Sequence, residues 1–364
     1  MITDLWLPAT APPRDVALIR ELLPDGDAAR AVGALRSWPE HRATSLVRLP
    51  GAALRADVAE VLYKDESERF GVGTFKAAGA AWAVLSALEQ SRRMGDPGVV
   101  VACATDGNHG RAVAWAARRF GCQAVVYLPR HALPERERRI GALGARVVHV
   151  DGDYDEAVTR VAADAARNGW LLVSDTSDSI ADEGNLRVIA GYALIVEELL
   201  DALANEEPPT HVLLQAGVGT FAAGIIAQLA RRLGVGAPRF VIVEPASAPC
   251  VLRSLVAGER TELAGPLDSA MDCLAAGRVS ATAWPILRAW VDAAIAIDDG
   301  ASLQVVTELR RGDYGPAVDT APSGAAGLAG LFDLRTNENA RASLELSDRA
   351  RVLVIGTEEA LPAA

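Results

Sequence analysis

Val99-Val100-Val101-Ala102-Cys103-Ala104-Thr105-Asp106-Gly107-Asn108-His109-Gly110 begins as an unbroken apolar run and ends as a glycine-flanked polar turn. A helical stretch from Arg111 to Phe120 follows it. An apolar run without polar alternation fits a strand covered on both faces, as in a parallel sheet. A polar turn between such a strand and a helix is where open α/β sheets bind ligands. The same order recurs at His211-Val212-Leu213-Leu214-Gln215, which leads through Ala216-Gly217-Val218-Gly219-Thr220 into a second helical stretch. Small residues there let the backbone approach a phosphate, which amide N–H groups and the helix dipole then bind.

Further apolar runs lie at 124–128, 145–150, 171–174, 240–243, 293–297 and 352–355, mostly separated by helical stretches that end at glycine or start at Asp, Pro or Ser. This alternation predicts an α/β protein with mostly parallel sheets. At 364 residues the chain exceeds one typical domain, and the duplicated strand–glycine loop–helix pattern predicts two lobes. Half of the residues are hydrophobic, enough for a large core, and the net charge of −11 argues against a nucleic-acid surface. No apolar run is long enough to span a membrane. The opening residues Met1–Pro8 have neither a basic n-region nor an apolar h-region, so a cytoplasmic rather than secreted protein is expected. The four cysteines, Cys103, Cys122, Cys250 and Cys273, lack metal-binding spacing and read as reduced thiols, with a Cys250–Cys273 pair left open. Residues 1–46 carry little chemistry and read as a surface wrap or subunit contact.

A third stretch carries a nucleophile. Lys64-Asp65-Glu66-Ser67-Glu68-Arg69-Phe70-Gly71-Val72-Gly73-Thr74-Phe75-Lys76 runs straight into the Ala-rich segment that starts at Ala77. Lys76 therefore falls where a loop turns into a helix. A lysine that loses solvent there titrates lower and becomes a Schiff-base nucleophile toward an aldehyde cofactor. For a lone lysine the ordinary alternative is a solvated helix start. Gly217-Val218-Gly219-Thr220-Phe221-Ala222 also fits a dinucleotide fingerprint, with Glu244 ending the next strand. A nicotinamide dehydrogenase would leave Lys76 and the Asp106 loop unexplained.

Taken together, the Lys64–Lys76 stretch, the Ala104–Gly110 loop and the Ala216–Gly219 loop resemble the fold-type II pyridoxal-phosphate enzymes. Within that group they look most like the diaminopropionate ammonia-lyases, over about Val47 to Glu358. The resemblance implies a two-lobed α/β fold, with a large cofactor-binding domain of residues 1–75 and 195–364 and a small mobile domain of 76–194. Pyridoxal 5'-phosphate would sit in the cleft, and the protein would be a homodimer acting on a small-molecule amino acid. Lys76 would hold the cofactor and act as a base at Cα. Asn108 would hydrogen-bond the phenolic oxygen, Gly217, Val218, Gly219 and Thr220 would bind the phosphate, and Thr357 would face the ring nitrogen. Asp106 and Asp175 would face the substrate. A carboxylate beside the cofactor needs a cation, and the β-ammonium of 2,3-diaminopropionate supplies one. The implied reaction is α,β-elimination to pyruvate and ammonia. A dehydratase or β-replacement enzyme with the same machinery is the alternative, and a PLP-fold protein without catalysis a lesser one.

The specificity segment departs from the family. Asp175-Thr176-Ser177-Asp178-Ser179-Ile180-Ala181 has Asp178 where a tryptophan is usual, and Cys273 stands in place of a glycine. Loss of the indole predicts a wider or more acidic pocket.

Overall fold

The computed structural model describes residues 1–105, 107–130, 132–152 and 154–360. Eleven strands occur among the described residues: β1 Ile2–Trp6, β2 Leu46–Arg48, β3 Glu60–Asp65, β4 Val100–Ala104, β5 Gln123–Pro129, β6 Arg146–Val150, β7 Leu171–Leu172, β8 His211–Gln215, β9 Arg239–Pro245, β10 Val291–Ile297 and β11 Arg351–Gly356. They form a seven-stranded sheet ordered β1-β10-β9-β8-β11-β3-β2 and a four-stranded sheet ordered β6-β5-β4-β7. The four-stranded sheet is parallel throughout, and only the two edge strands of the larger sheet, β1 and β2, run antiparallel to their neighbours. Two-sided burial explains the pattern. All five residues of β8 and all seven of β10 are buried, so their apolar runs need no polar alternation.

The chain divides into two compact units, one of residues 1–24, 43–68 and 195–364, the other of 25–42 and 69–194. The larger sheet belongs to the first and the smaller sheet to the second. In the first unit a continuous apolar core includes Tyr63, Leu213, Val243, Ile295, Leu331 and Val354. The second unit has its own cluster around Ala102, Val125, Tyr127 and Val161.

The N-terminal stretch is not a surface wrap. Ile2–Trp6 pairs with β10, and Ile19, Ala31 and Leu35 are fully buried. β3 also extends beyond its short apolar run, Val61-Leu62-Tyr63. It continues through Lys64, only 1% exposed, whose Nζ donates to Glu198 Oε2 at 3.0 Å and to Thr44 O at 2.7 Å. A buried lysine is tolerated only with such partners.

In the smaller unit the helix Lys76–Gln90 is Ala-rich, which favours helix and leaves room for close approach. It crosses the helix Glu183–Gly191 at two glycines. A Cβ on Gly79 would lie 2.6 Å from Tyr192 Cε1 and 2.7 Å from Val188 O. One on Gly191 would lie 2.6 Å from Ala78 O and 2.7 Å from Gly79 Cα. The two backbones therefore touch, one turn into the helix that Lys76 opens.

Candidate active site

In each unit, candidate residues lie beyond the carboxyl ends of neighbouring parallel strands, the place where such sheets bind ligands. In the smaller unit these strands are β4 and β7. β4 leads into the loop before the helix Asn108–Phe120. β7 leads through Val173, whose N–H donates to Ala102 O at 2.9 Å, to Asp175.

Lys76 is the first residue of its helix, and its side chain is 19% exposed. Its Nζ donates to Asp175 Oδ2 at 2.7 Å. The Tyr154 hydroxyl donates to Asp175 Oδ1 at 3.1 Å. Burial alone would raise the Asp175 carboxyl. The Lys76 ammonium and the hydrogen bonds from Lys76 and Tyr154 outweigh it and hold the group well below the usual carboxylate range. Asp175 is thus a buried carboxylate with a lysine as its counter-ion. Such a charge, left without a cation, costs several kcal/mol.

His109 is fully buried, and its Nε2 lies 2.9 Å from Val173 O. Burial, partly offset by Asp175, pushes its pKa down, so the ring is neutral. Asn108 opens the helix, and its side-chain oxygen accepts from Arg111 Nη2 at 3.5 Å. Asp106 lies outside the described residues. Asp178 is exposed.

In the larger unit the strands are β8 and β11, paired in parallel. Beyond β8, Gly219 has φ +88° and caps the 14-residue helix Thr220–Leu233 without a side-chain hydrogen bond. A left-handed φ of this kind favours glycine. A Cβ at Gly219 would also lie 2.7 Å from Leu287 Cδ1, and one at Gly217 would lie 3.3 Å from Cys273 O. The loop is thus a bare backbone turn at a helix N-terminus, a geometry whose free N–H groups can bind an anion such as a phosphate. Beyond β11, Thr357 is 4% exposed. Gln215 Nε2 donates to Ile355 O at 2.7 Å and to Thr357 Oγ1 at 3.2 Å. The Thr357 oxygen therefore accepts from Gln215.

The dinucleotide alternative fails at Glu244. Its carboxylate oxygens accept from Val251 N at 2.7 Å and Leu252 N at 2.8 Å, capping the helix Cys250–Ala257. Glu244 is fully buried, and burial pushes it up to about 8 against those two amides. A group engaged in this way cannot bind a ribose. All four cysteines are free thiols. Cys250 Sγ donates to Gly217 O at 3.3 Å and Cys273 Sγ to Glu358 Oε2 at 3.4 Å. Among the described residues no cluster of three or more His, Cys, Asp or Glu could hold a metal ion.

Sequence reasoning did not single out His109, Tyr154 or Gln215. His109 lay inside the quoted loop, and Gln215 was legible as a polar residue ending an apolar strand. Tyr154 stands 21 positions before Asp175 and belongs to no motif.

The smaller unit has a lysine at a helix start, and the larger has a glycine turn at a helix N-terminus and a hydroxyl beyond a strand end, the kinds of group that a phosphorylated aldehyde calls for. The family described as "Pyridoxal-phosphate dependent enzyme" matches residues 38–358. The diaminopropionate ammonia-lyase of Escherichia coli (strain K12) is 34% identical over 337 residues, covering 87% of this chain and 84% of that protein. The crystal structure of holo diaminopropionate ammonia lyase from Escherichia coli superposes with a TM-score of 0.88 at 31% identity, covering 98% of this chain and 93% of that one. The same enzyme in complex with an aminoacrylate-PLP azomethine reaction intermediate superposes at 0.87, again at 31% identity, covering 99% and 94%. The chain belongs to the pyridoxal-phosphate dependent enzymes and, within them, to the diaminopropionate ammonia-lyase family. It is a lyase of fold type II, and its cofactor is pyridoxal 5'-phosphate. Among the described residues no helix is long and apolar enough to cross a membrane.

Proposed function

We propose that this chain eliminates the β-amino group of 2,3-diaminopropionate, giving pyruvate and two molecules of ammonia. The named activity of its relatives supports the reaction. The observation that carries the substrate is the Lys76–Asp175 pair at 2.7 Å. An ionised carboxylate of this kind demands a cation, and a substrate with a second ammonium brings one.

Lys76 would hold the cofactor at its aldehyde carbon, Asn108 at its phenolic oxygen, Gly217, Val218, Gly219 and Thr220 at its phosphate, and Thr357 at its ring nitrogen. When bound, the cofactor supplies an electron sink for the charge that develops at Cα. Lys76, released as substrate binds, takes the Cα proton on one face. Asp106 takes it on the other, so both enantiomers react. Asp175 keeps the β-nitrogen as an ammonium, the form in which it can leave as neutral ammonia. Water then releases the second ammonia and pyruvate. The family resemblance also supports a cytoplasmic homodimer, which sedimentation of the purified protein would check.

The decisive assay follows ammonia and pyruvate with D- and L-2,3-diaminopropionate, serine and threonine. Two ammonia molecules per pyruvate from diaminopropionate is the expected result. Turnover of serine or threonine without diaminopropionate would replace this reading with a dehydratase. Borohydride reduction and peptide mapping should place the pyridoxyl group on Lys76, and a label on another lysine would remove that assignment.

A further inference from the structure

Apart from the atoms already given roles, one buried polar atom among the described residues of the smaller unit is aimed at the Lys76–Asp175 pair. His109 is fully buried, and its Nε2 lies 2.9 Å from Val173 O. A carbonyl only accepts, so Nε2 carries the proton. In a neutral imidazole the other nitrogen is then a bare lone pair. Nδ1 has no hydrogen-bond partner. Its neighbour is Asp175 Oδ2, another acceptor, at 3.9 Å. That separation is too long for a hydrogen bond, and neither atom has a proton to give.

Two buried acceptors side by side are unfavourable unless one group donates to both. A primary ammonium carries three N–H donors and a positive charge. A hydroxyl carries one donor and no charge. Lys76 already illustrates the match, since its Nζ donates to Asp175 Oδ2. It leaves His109 Nδ1 unserved.

We propose that His109 Nδ1 and Asp175 Oδ2 form a two-acceptor seat for an organic ammonium, half-filled by Lys76 in this structure and filled by the substrate's β-ammonium once Lys76 is engaged elsewhere. His109 is thereby a specificity-determining residue, selecting an amino over a hydroxyl group at the β-carbon. Tyr154, through its bond to Asp175 Oδ1, fixes the carboxylate's orientation and leaves Oδ2 for the cation. The identity of the substrate rests on the function proposed above, while the existence of the seat does not.

The seat is tested in the full-length Lys76→Ala protein, which removes the resident ammonium. Methylammonium chloride should raise its thermal midpoint more than tetramethylammonium chloride at equal ionic strength, because only the former has N–H donors. Adding His109→Leu should raise the half-saturating methylammonium concentration roughly tenfold to hundredfold, the range for losing a hydrogen bond to a charged group. His109→Asn, whose amide oxygen falls near the Nδ1 position, should restore most of that loss. Equal half-saturation with and without His109→Leu overturns the proposal, as does a response that ignores N–H donors. Should Lys76→Ala fail to fold, the loaded His109→Leu enzyme gives a second reading. Its kcat/KM should fall at least about tenfold further for diaminopropionate than for β-chloroalanine, whose β-substituent is uncharged in the substrate and carries no N–H donor. Equal falls overturn the proposal. A wild type that ignores diaminopropionate while Lys76→Ala still binds methylammonium would remove the proposed substrate and leave the seat standing.

Discussion

Replacing Asp175 with asparagine keeps the shape beside Lys76 and removes the charge. The consequence can be worked from one contact. At the observed 2.7 Å, Coulomb's law with an effective dielectric of about 20 sets a ceiling of roughly 6 kcal/mol. Desolvation of the two groups cancels much of this, and charge-assisted hydrogen bonds measured by mutation contribute about 1.5–3 kcal/mol. The proton on Lys76 should therefore be held less tightly by that amount. At a given pH below the lysine's titration, the unprotonated fraction rises by roughly 10- to 150-fold, since about 1.4 kcal/mol is tenfold. Only the unprotonated amine attacks an aldehyde, so the bimolecular capture of pyridoxal 5'-phosphate should accelerate by a similar factor near neutral pH. The advantage should vanish at high pH, where the wild-type amine is also unprotonated. Stopped-flow mixing of cofactor-free protein with excess cofactor, followed by its visible absorbance across pH, measures this directly. Peptide mapping after borohydride reduction confirms that Lys76 is the group trapped. Capture by Asp175→Asn no faster than wild type at neutral pH would refute the counter-ion reasoning. A ratio independent of pH would do the same.

Gly219→Asp should abolish cofactor retention on dialysis while circular dichroism stays native. The change adds a Cβ at φ +88°, 2.7 Å from Leu287 Cδ1, and a carboxylate against the phosphate; retained cofactor would mean that this loop is not the cradle. For Glu244 the sign runs against the usual carboxylate. Burial raises its folded pKa from 4.5 to about 8, so the native state keeps a proton that the unfolded chain has lost. Its contribution to stability is full below the unfolded value and lost as pH rises through about 8. Glu244→Gln stays neutral but loses one of two acceptors, so its stability deficit in urea should be largest near pH 5 and shrink toward pH 9; a constant gap would contradict the shift. Asp106→Asn should retain the cofactor yet lose at least about a hundredfold in diaminopropionate turnover, more for one enantiomer. Equal loss for both enantiomers would remove its role as the second base.

The parallel interior was legible because burial on both faces removes the polar alternation. The runs at 211–215 and 352–355 could hardly be anything but covered strands. The edges were not legible. Ile2–Trp6 finds its partner, β10, some 290 residues away, and no local feature announces that pairing. Within β3 the sequence shows only three apolar residues in a row, Val61-Leu62-Tyr63, because Lys64 and Asp65 look like loop. Lys64 belongs in the strand only because Glu198 and Thr44, brought by other elements, satisfy it. The site divides in the same way. Lys76, the Asp106 loop and the glycine turn announce themselves, since a nucleophile at a helix start and a turn bare of side chains are local properties. His109 and Gln215 act through which atom they leave unpaired or which hydroxyl they orient. Such facts exist only once distant strands have set the neighbours.

The contact between Gly79 and Gly191 has a consequence for anyone reshaping this enzyme. Side chains packed in an interface can adjust rotamers and absorb a change; two backbones in contact cannot. The crossing therefore works as a hard mechanical stop, one turn from the Lys76 backbone and on the same helix. The stop's other half ends the helix Glu183–Gly191, which begins eight positions after Asp175. A methyl group at either glycine would displace the nucleophile itself instead of altering what surrounds it. Libraries aimed at substrate range should leave this joint untouched and spend their diversity on the exposed stretch from Asp178 to Ala181.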